Sequence, residues 1–102
     1  MPLELIYSRA AERDFRDLFN SIAVDKPLAA RTYLQTVRAT CEMLSEMPFA
    51  GPEVFPPAGG LRLFVHRRRV VILYRPNRKG LLIVRALHHS RDVQAAIRSL
   101  RR

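Results

Sequence analysis

The stretch from Leu61 to Asp92, LRLFVHRRRVVILYRPNRKGLLIVRALHHSRD, leaves this chain few folds to choose from. It holds three apolar runs of strand length, LRLFVH, VVILYR and LLIVRAL, separated only by RRR and PNRKG. Runs rich in Val, Ile and Leu favour extended backbone, and separators this short can only be tight turns. The segment therefore reads as a three-stranded antiparallel meander. A sheet of that kind has an apolar face that something else in the chain must cover.

The residues before it supply the cover. Leu3 to Tyr7 fits a short first strand, and Ser8 can cap a helix by accepting from the free amides of its first turn. Ala11, Phe15, Leu18 and Ile22 then recur at helical spacing, widened by Phe19, with Arg9, Arg13, Arg16 and Asp17 off the stripe. Asp25-Lys26-Pro27 is a second start signal, with Asp25 or Lys26 at the cap and Pro27 in the first turn, where its missing N–H costs nothing. The next stripe runs Ala30, Leu34, Val37, Cys41 and Leu44, and Pro48 stops it. Residues 48–60, PFAGPEVFPPAGG, are a Pro- and Gly-rich loop with a short extended piece at Val54-Phe55. After the meander, Ser90 or Asp92 caps a last short helix, VQAAIRSL, with Arg101 and Arg102 placed to suit its dipole. The expected architecture is α+β: an N-terminal strand, a two-helix hairpin packed on a three- to four-stranded antiparallel sheet, and a short C-terminal helix. At 102 residues the whole of 1–102 is expected to form one domain.

Charge is unevenly placed. Residues 1–56 carry six Lys/Arg and eight Asp/Glu, a balance of −2, whereas residues 57–102 carry twelve Lys/Arg and only Asp92, a balance of +11. The basic half suggests a polyanionic partner, either nucleic acid or an acidic protein segment. No apolar run approaches the ~18 residues that span a bilayer, and MPLELIYS reads as a strand rather than a signal peptide, so a cytoplasmic protein without membrane contact is expected. The lone Cys41 lies on an apolar stripe and reads as core. No Gly-rich phosphate loop, nucleophile elbow or paired-carboxylate signature is present, and no cofactor is expected.

The residues that stand out are cationic. Arg67-Arg68-Arg69 falls at a hairpin tip, where the planar guanidinium fork suits phosphate or carboxylate, or simply keeps a turn soluble. Arg62, Arg75, Arg85 and Arg91 lie in or at the ends of otherwise apolar strands, where charge is unexpected. Alternation puts Arg62, Phe64 and His66 on one face of their strand, a potential cationic and aromatic binding surface. It puts Arg85 with Leu81, Ile83 and Leu87, near a sheet end or beside an acid. Ion pairs with helix acids would explain these arginines equally well. His88 and His89, as strand neighbours, are expected on opposite faces and unable to chelate one metal. His88 with Tyr74 or an arginine could do acid–base chemistry of the kind used in metal-free RNA cleavage.

These blocks, in this order, resemble the ParE branch of the RelE/ParE superfamily, the toxins of bacterial type II toxin–antitoxin pairs. The resemblance is carried by the strand ending in Ser8; by Ala10, Asp14 and Leu18; by Pro27-Leu28-Ala29-Ala30; by Leu44 to Pro48, Gly51 and Leu61-Arg62. Most specific are Val70-Val71-Ile72-Leu73-Tyr74-Arg75 and Ile83 to Asp92. The resemblance implies a bacterial cytoplasmic toxin in a hetero-oligomer with a ParD-like antitoxin, whose acidic amphipathic C-terminal segment neutralises it and through which alone operator DNA is reached. RelE-like members cut ribosome-bound mRNA with basic residues on the sheet. Arg62 and Arg91 fall at two such positions, and a nuclease would use them with His88, but Phe64 and Val71 occupy two others, and the last helix offers no tyrosine or histidine. ParE-like members are associated with poisoning DNA gyrase, so a non-enzymatic gyrase inhibitor is the leading expectation. The mRNA endonuclease is the alternative, and a non-toxic basic nucleic-acid-binding module the second. The expected target-binding set is Arg62, Arg67, Arg68, Arg69, Arg75, Arg85, His88, Arg91 and Asp92.

Overall fold

The computed structural model describes residues 2–101, so Arg102 lies outside the described residues. The order is β1 (Glu4–Tyr7), α1 (Arg9–Ala23), α2 (Pro27–Glu46), β2 (Arg62–His66), β3 (Val70–Pro76), β4 (Gly80–His88) and α3 (Val93–Ser99). The α+β expectation holds, and the meander forms as read: β2 pairs antiparallel with β3, and β3 with β4.

The sheet is mixed rather than purely antiparallel. Its order is β1-β4-β3-β2, and β1 runs parallel to β4. The chain leaves β1 through two helices and re-enters at the far edge, so that the last strand of the meander comes to lie beside the first. Only Gly80 to Ile83 pair with β1. Beyond them the edge of β4 is taken over by α1. The Ser8 amide donates to the Ile83 carbonyl, the Ser8 hydroxyl to the Val84 carbonyl at 2.7 Å, and the Asp14 carboxylate accepts from the Ala86 amide.

Two apolar clusters sandwich the sheet. On one face, Phe15 and Leu18 of α1 and Leu34, Val37, Cys41 and Leu44 of α2 pack on Val70, Ile72, Tyr74, Leu81, Ile83 and Ala86. On the other, the 54–61 loop and α3 bring Val54, Leu61, Ala96 and Ile97 onto Val71, Leu73, Val84 and Leu87. A register shift at Leu73/Tyr74 inserts one extra residue into β4. It reverses the alternation, so Leu87 leaves the face of Leu81 and Ile83, contrary to the strict period-2 reading.

The helix signals resolve cleanly. Ser8 caps α1 by accepting from the Ala11 amide. Lys26, not Asp25, is the α2 cap, with Pro27 just inside. Asp92 caps α3, its carboxylate accepting from the Ala95 amide, while the Ser90 hydroxyl turns to His88. The basic residue in the last turn of α3 is Arg98; Arg101 instead donates to the Pro56 carbonyl. The extended piece in the 48–60 loop sits at Glu53, bridged to Arg62, just upstream of the expected Val54-Phe55.

Candidate functional site

The arginines that the sequence groups together are separated by the fold into two kinds. The first kind is consumed internally. The Arg62 guanidinium donates to the Gly51 carbonyl and lies over the Phe49 ring, 4.7 Å from its centroid. Arg75 donates to the carbonyls of Gly59, Ala58 and Leu100, tying the 54–61 loop to the end of α3. Arg85 makes a two-pronged contact with Asp14, at 2.7 Å through Nε and 3.0 Å through the second nitrogen. That carboxylate raises the Arg85 pKa further, against the opposing effect of burial. Asp92 is spent on its cap.

The face shared by Arg62, Phe64 and His66 is likewise not an open cationic surface. It lies under α2. Phe64 packs against the helix-side core. The buried His66 ring hydrogen-bonds Thr40 at 2.7 Å and Thr36 at 3.2 Å. Burial, and then the charge of Arg67, lowers the His66 pKa, so the ring sits neutral. Strand alternation correctly groups these three residues, but which face the helices would cover is not encoded in β2 itself.

The second kind is free. Arg67, Arg68 and Arg69 are exposed at the β2–β3 turn, closed by the Arg69 amide donating to the His66 carbonyl. Arg67 and Arg68 both adopt left-handed backbone, φ +50° and +60°. That conformation costs an L-residue roughly 1–2 kcal/mol. A hairpin turn of this hand normally takes Asn or Gly, so two arginines here hold a strained turn and aim two cations outward.

The β4–α3 turn lies alongside. The His89 amide donates to the Arg69 carbonyl at 2.7 Å, joining the two turns. His88 pairs with the Ser90 hydroxyl through Nδ1 at 2.7 Å, and its pKa is lowered by partial burial, then by His89 and Arg69. The His88 and His89 rings are 4.4 Å apart between centroids, not on opposite faces, because the strand ends at His88 and alternation ends with it. No third His, Cys, Asp or Glu joins them in a metal-binding group among the described residues. Among those residues the side chains of Arg67, Arg68, Arg69 and Arg91 have no ion pair.

The fold sets Arg62 and His88 apart along the sheet. In the sheet register Arg62 stands opposite Tyr74 and His88 opposite Val70. The two positions lie four residues apart along β3, roughly 13 Å along the strand. Tyr74, the other suggested partner of His88, is fully buried, its hydroxyl accepting from the Gly51 amide and donating to the Pro48 carbonyl, each at 2.9 Å. Cys41 is core as read, and burial pushes its thiol up to about 11, away from nucleophilic use.

Sequence reasoning missed Tyr33. It lies off the α2 stripe, yet its ring packs edge-on against His66, 5.8 Å between centroids, and its hydroxyl is buried without a partner. Its spacing of three from Ala30 and from Thr36 on one helix was the only available signal.

A two-helix hairpin over a four-stranded mixed sheet, with a cationic end free of ion pairs among the described residues, defines a small α+β protein. Ten chains of known structure match. One of them, described as a chromosomal ParDE TA system from P. aeruginosa, superposes with a TM-score of 0.73 at 19% identity, covering 84% of this chain and 95% of that one. A sequence profile of the ParE toxin of the type II toxin–antitoxin system, parDE, matches residues 5–93, and the chain belongs to that family. No curated protein matches by sequence. Membership in that family implies a ParD-type antitoxin partner. No helix among the described residues is long and apolar enough to cross a membrane.

Proposed function

We propose that this toxin acts by binding DNA gyrase rather than by cutting RNA, and that its ParD-type antitoxin neutralises it through an acidic amphipathic segment. The observation that carries the reading is the sorting of arginines. Arg67, Arg68, Arg69 and Arg91 are left free at one end of the sheet, beside His88. Arg62, Arg75 and Arg85 serve the fold, and Asp92 caps α3. The target-binding set thus narrows to Arg67, Arg68, Arg69, His88 and Arg91. A cluster of unpaired guanidinium groups suits rapid, electrostatically guided docking on an acidic protein surface.

Nuclease chemistry needs a group to activate the 2′-hydroxyl and others to hold the transferring phosphate at one point. Here Phe64 packs half-buried against the core, Val71 is buried, and Arg62 stands four register positions from His88 along the sheet. The test is a supercoiling assay with purified gyrase. Inhibition at micromolar toxin is expected, reduced by changing Arg67, Arg68 and Arg69 together to Gln. No inhibition, with cleaved messages and immediate translation arrest on expression, would replace gyrase with the ribosome as the target. The same basic end could also contact nucleic acid directly. Direct DNA or RNA binding that falls steeply with salt, without toxicity, would mark the non-toxic binding module instead.

A further inference from the structure

Among the described residues, a single side chain of the β2–β3 hairpin hydrogen-bonds α2: that of His66, the last residue of β2. Its buried ring is wedged between Thr36 and Thr40, one helical turn apart, with the Tyr33 ring packed against it. The hydrogens follow from the acceptors. The Thr36 hydroxyl lies 2.6 Å from the Tyr33 carbonyl, which can only accept, so its one hydrogen is committed there. Toward the ring Thr36 therefore accepts, and Nε2 of His66, 3.2 Å away, carries the ring hydrogen. In the neutral ring Nδ1 is then bare, and it accepts from the Thr40 hydroxyl at 2.7 Å. Both nitrogens are used, and two directional contacts fix the ring on the helix.

The chain turns directly after this ring. The His66 carbonyl accepts from the Arg69 amide, closing a turn in which Arg67 and Arg68 are both left-handed. Strained residues persist only where their surroundings over-determine them. Here the far end of the turn is tied through the Arg69 carbonyl to the His89 amide, and the near end through the His66 ring to α2. We infer that His66 is a positioning residue for target binding: clamped between Thr36 and Thr40, it holds the strained turn on α2 and so sets the direction in which Arg67, Arg68 and Arg69 are presented. The inference rests on the target-binding reading above and deepens it. A histidine that merely filled the core would affect inhibition only through stability. A clamp affects it at constant stability, because a wandering turn presents its cations productively for only part of the time, and apparent affinity falls by that fraction.

The test sets gyrase inhibition by the full chain beside urea unfolding and ¹⁵N relaxation of the Arg67–Arg69 amides. His66→Leu fills the space without directional bonds and strands nothing, since Thr36 keeps the Tyr33 carbonyl and the Thr40 hydroxyl can turn back onto its own helix. It is expected to keep the unfolding midpoint while raising the half-inhibiting concentration at least about fivefold, the equivalent of one hydrogen bond. Thr40→Val, which removes the donor to Nδ1, is expected to raise it roughly two- to fivefold and to loosen the turn amides. His66→Asn, whose side-chain oxygen takes the place of Nδ1, is expected to recover most of the inhibition lost in His66→Leu. Thr32→Val, on the exposed side of α2, is expected to match the parent. Parent-like inhibition by His66→Leu, or losses that only follow the midpoint, would overturn the clamp, as would His66→Asn no better than His66→Leu. Should His66→Leu fail to fold, Thr40→Val decides. If the parent leaves gyrase uninhibited, the target reading falls, and the clamp is judged on the free toxin: turn amides loosened in Thr40→Val support it, and unchanged amides overturn it.

Discussion

Asp14→Ala removes one carboxylate that accepts three hydrogen bonds, from Nε of Arg85 at 2.7 Å, its second nitrogen at 3.0 Å, and the Ala86 amide at 2.9 Å. Asp14 is 5% exposed and the Arg85 side chain 25%. The amide cannot reach water without unfastening α1 from the open edge of β4, so its loss alone costs about 1–3 kcal/mol. Stranding one partner of a buried ion pair costs about 3–5 kcal/mol, and Arg85, a quarter exposed, can turn partly to solvent, which places the change at the low end. The expected loss is roughly 3 kcal/mol, a large share of the ~5–15 kcal/mol that holds a domain of this size. It corresponds to a fall in Tm of roughly 15 °C. Urea unfolding followed by circular dichroism measures it, read as a lower midpoint at unchanged slope. Because both residues belong to one contact, Arg85→Ala added to Asp14→Ala should cost at least ~1 kcal/mol less than the sum of the single changes. A loss below ~1 kcal/mol for Asp14→Ala, or strict additivity, would refute the view that this pair locks α1 to β4.

Four further perturbations probe other parts of the molecule. His66 has a folded-state pKa below its unfolded value, so the unfolded chain binds the extra proton first; stability is complete above about pH 6.5 and falls as pH drops below it, by at most ~1.4 kcal/mol per pH unit. His66→Gln should flatten that part of a pH series of urea midpoints. Arg67→Gly and Arg68→Gly each relieve a left-handed residue costing ~1–2 kcal/mol but add unfolded-chain freedom worth ~0.5–1, so each should stabilise by roughly 0.5–1 kcal/mol while weakening gyrase inhibition. A rise in stability with full inhibition would show that the strained arginines do not serve binding. Tyr74→Phe strands the Gly51 amide and the Pro48 carbonyl and should cost about 2 kcal/mol in the same unfolding assay. Gly51→Ala drives a Cβ into the Leu63 carbonyl and should cost about 1–3 kcal/mol.

Much of the architecture was legible because it depends on local periodicity. The stripe Ala30, Leu34, Val37, Cys41 and Leu44 is buried along α2 as its spacing requires, and the three runs after Leu61 pair in the expected meander. The caps at Ser8 and Asp92 and the proline start of α2 rest on backbone chemistry within a few residues. What could not be read was any contact that closes over long separations. The parallel pairing of β1 with β4 joins Glu4 to Gly80. The extra residue in β4 reverses a face assignment that strict alternation would have carried through to Leu87.

The candidate site shows the same division more sharply. By itself the sequence determined that this chain is a helical hairpin on a meander, belongs with the ParE toxins, and carries its positive charge in its second half. It could not say which arginines were free to act. Arg85 and Arg91 stand six positions apart in one basic segment, yet one is bound to Asp14, 71 residues away, while the other is exposed. Only the tertiary structure decided that. A guanidinium takes the nearest acceptor in space, and for Arg62, Arg75 and Arg85 the fold placed a carbonyl or carboxylate within 3.2 Å. At Arg67 to Arg69 and Arg91 the chain turns outward, and the charge is left for a partner.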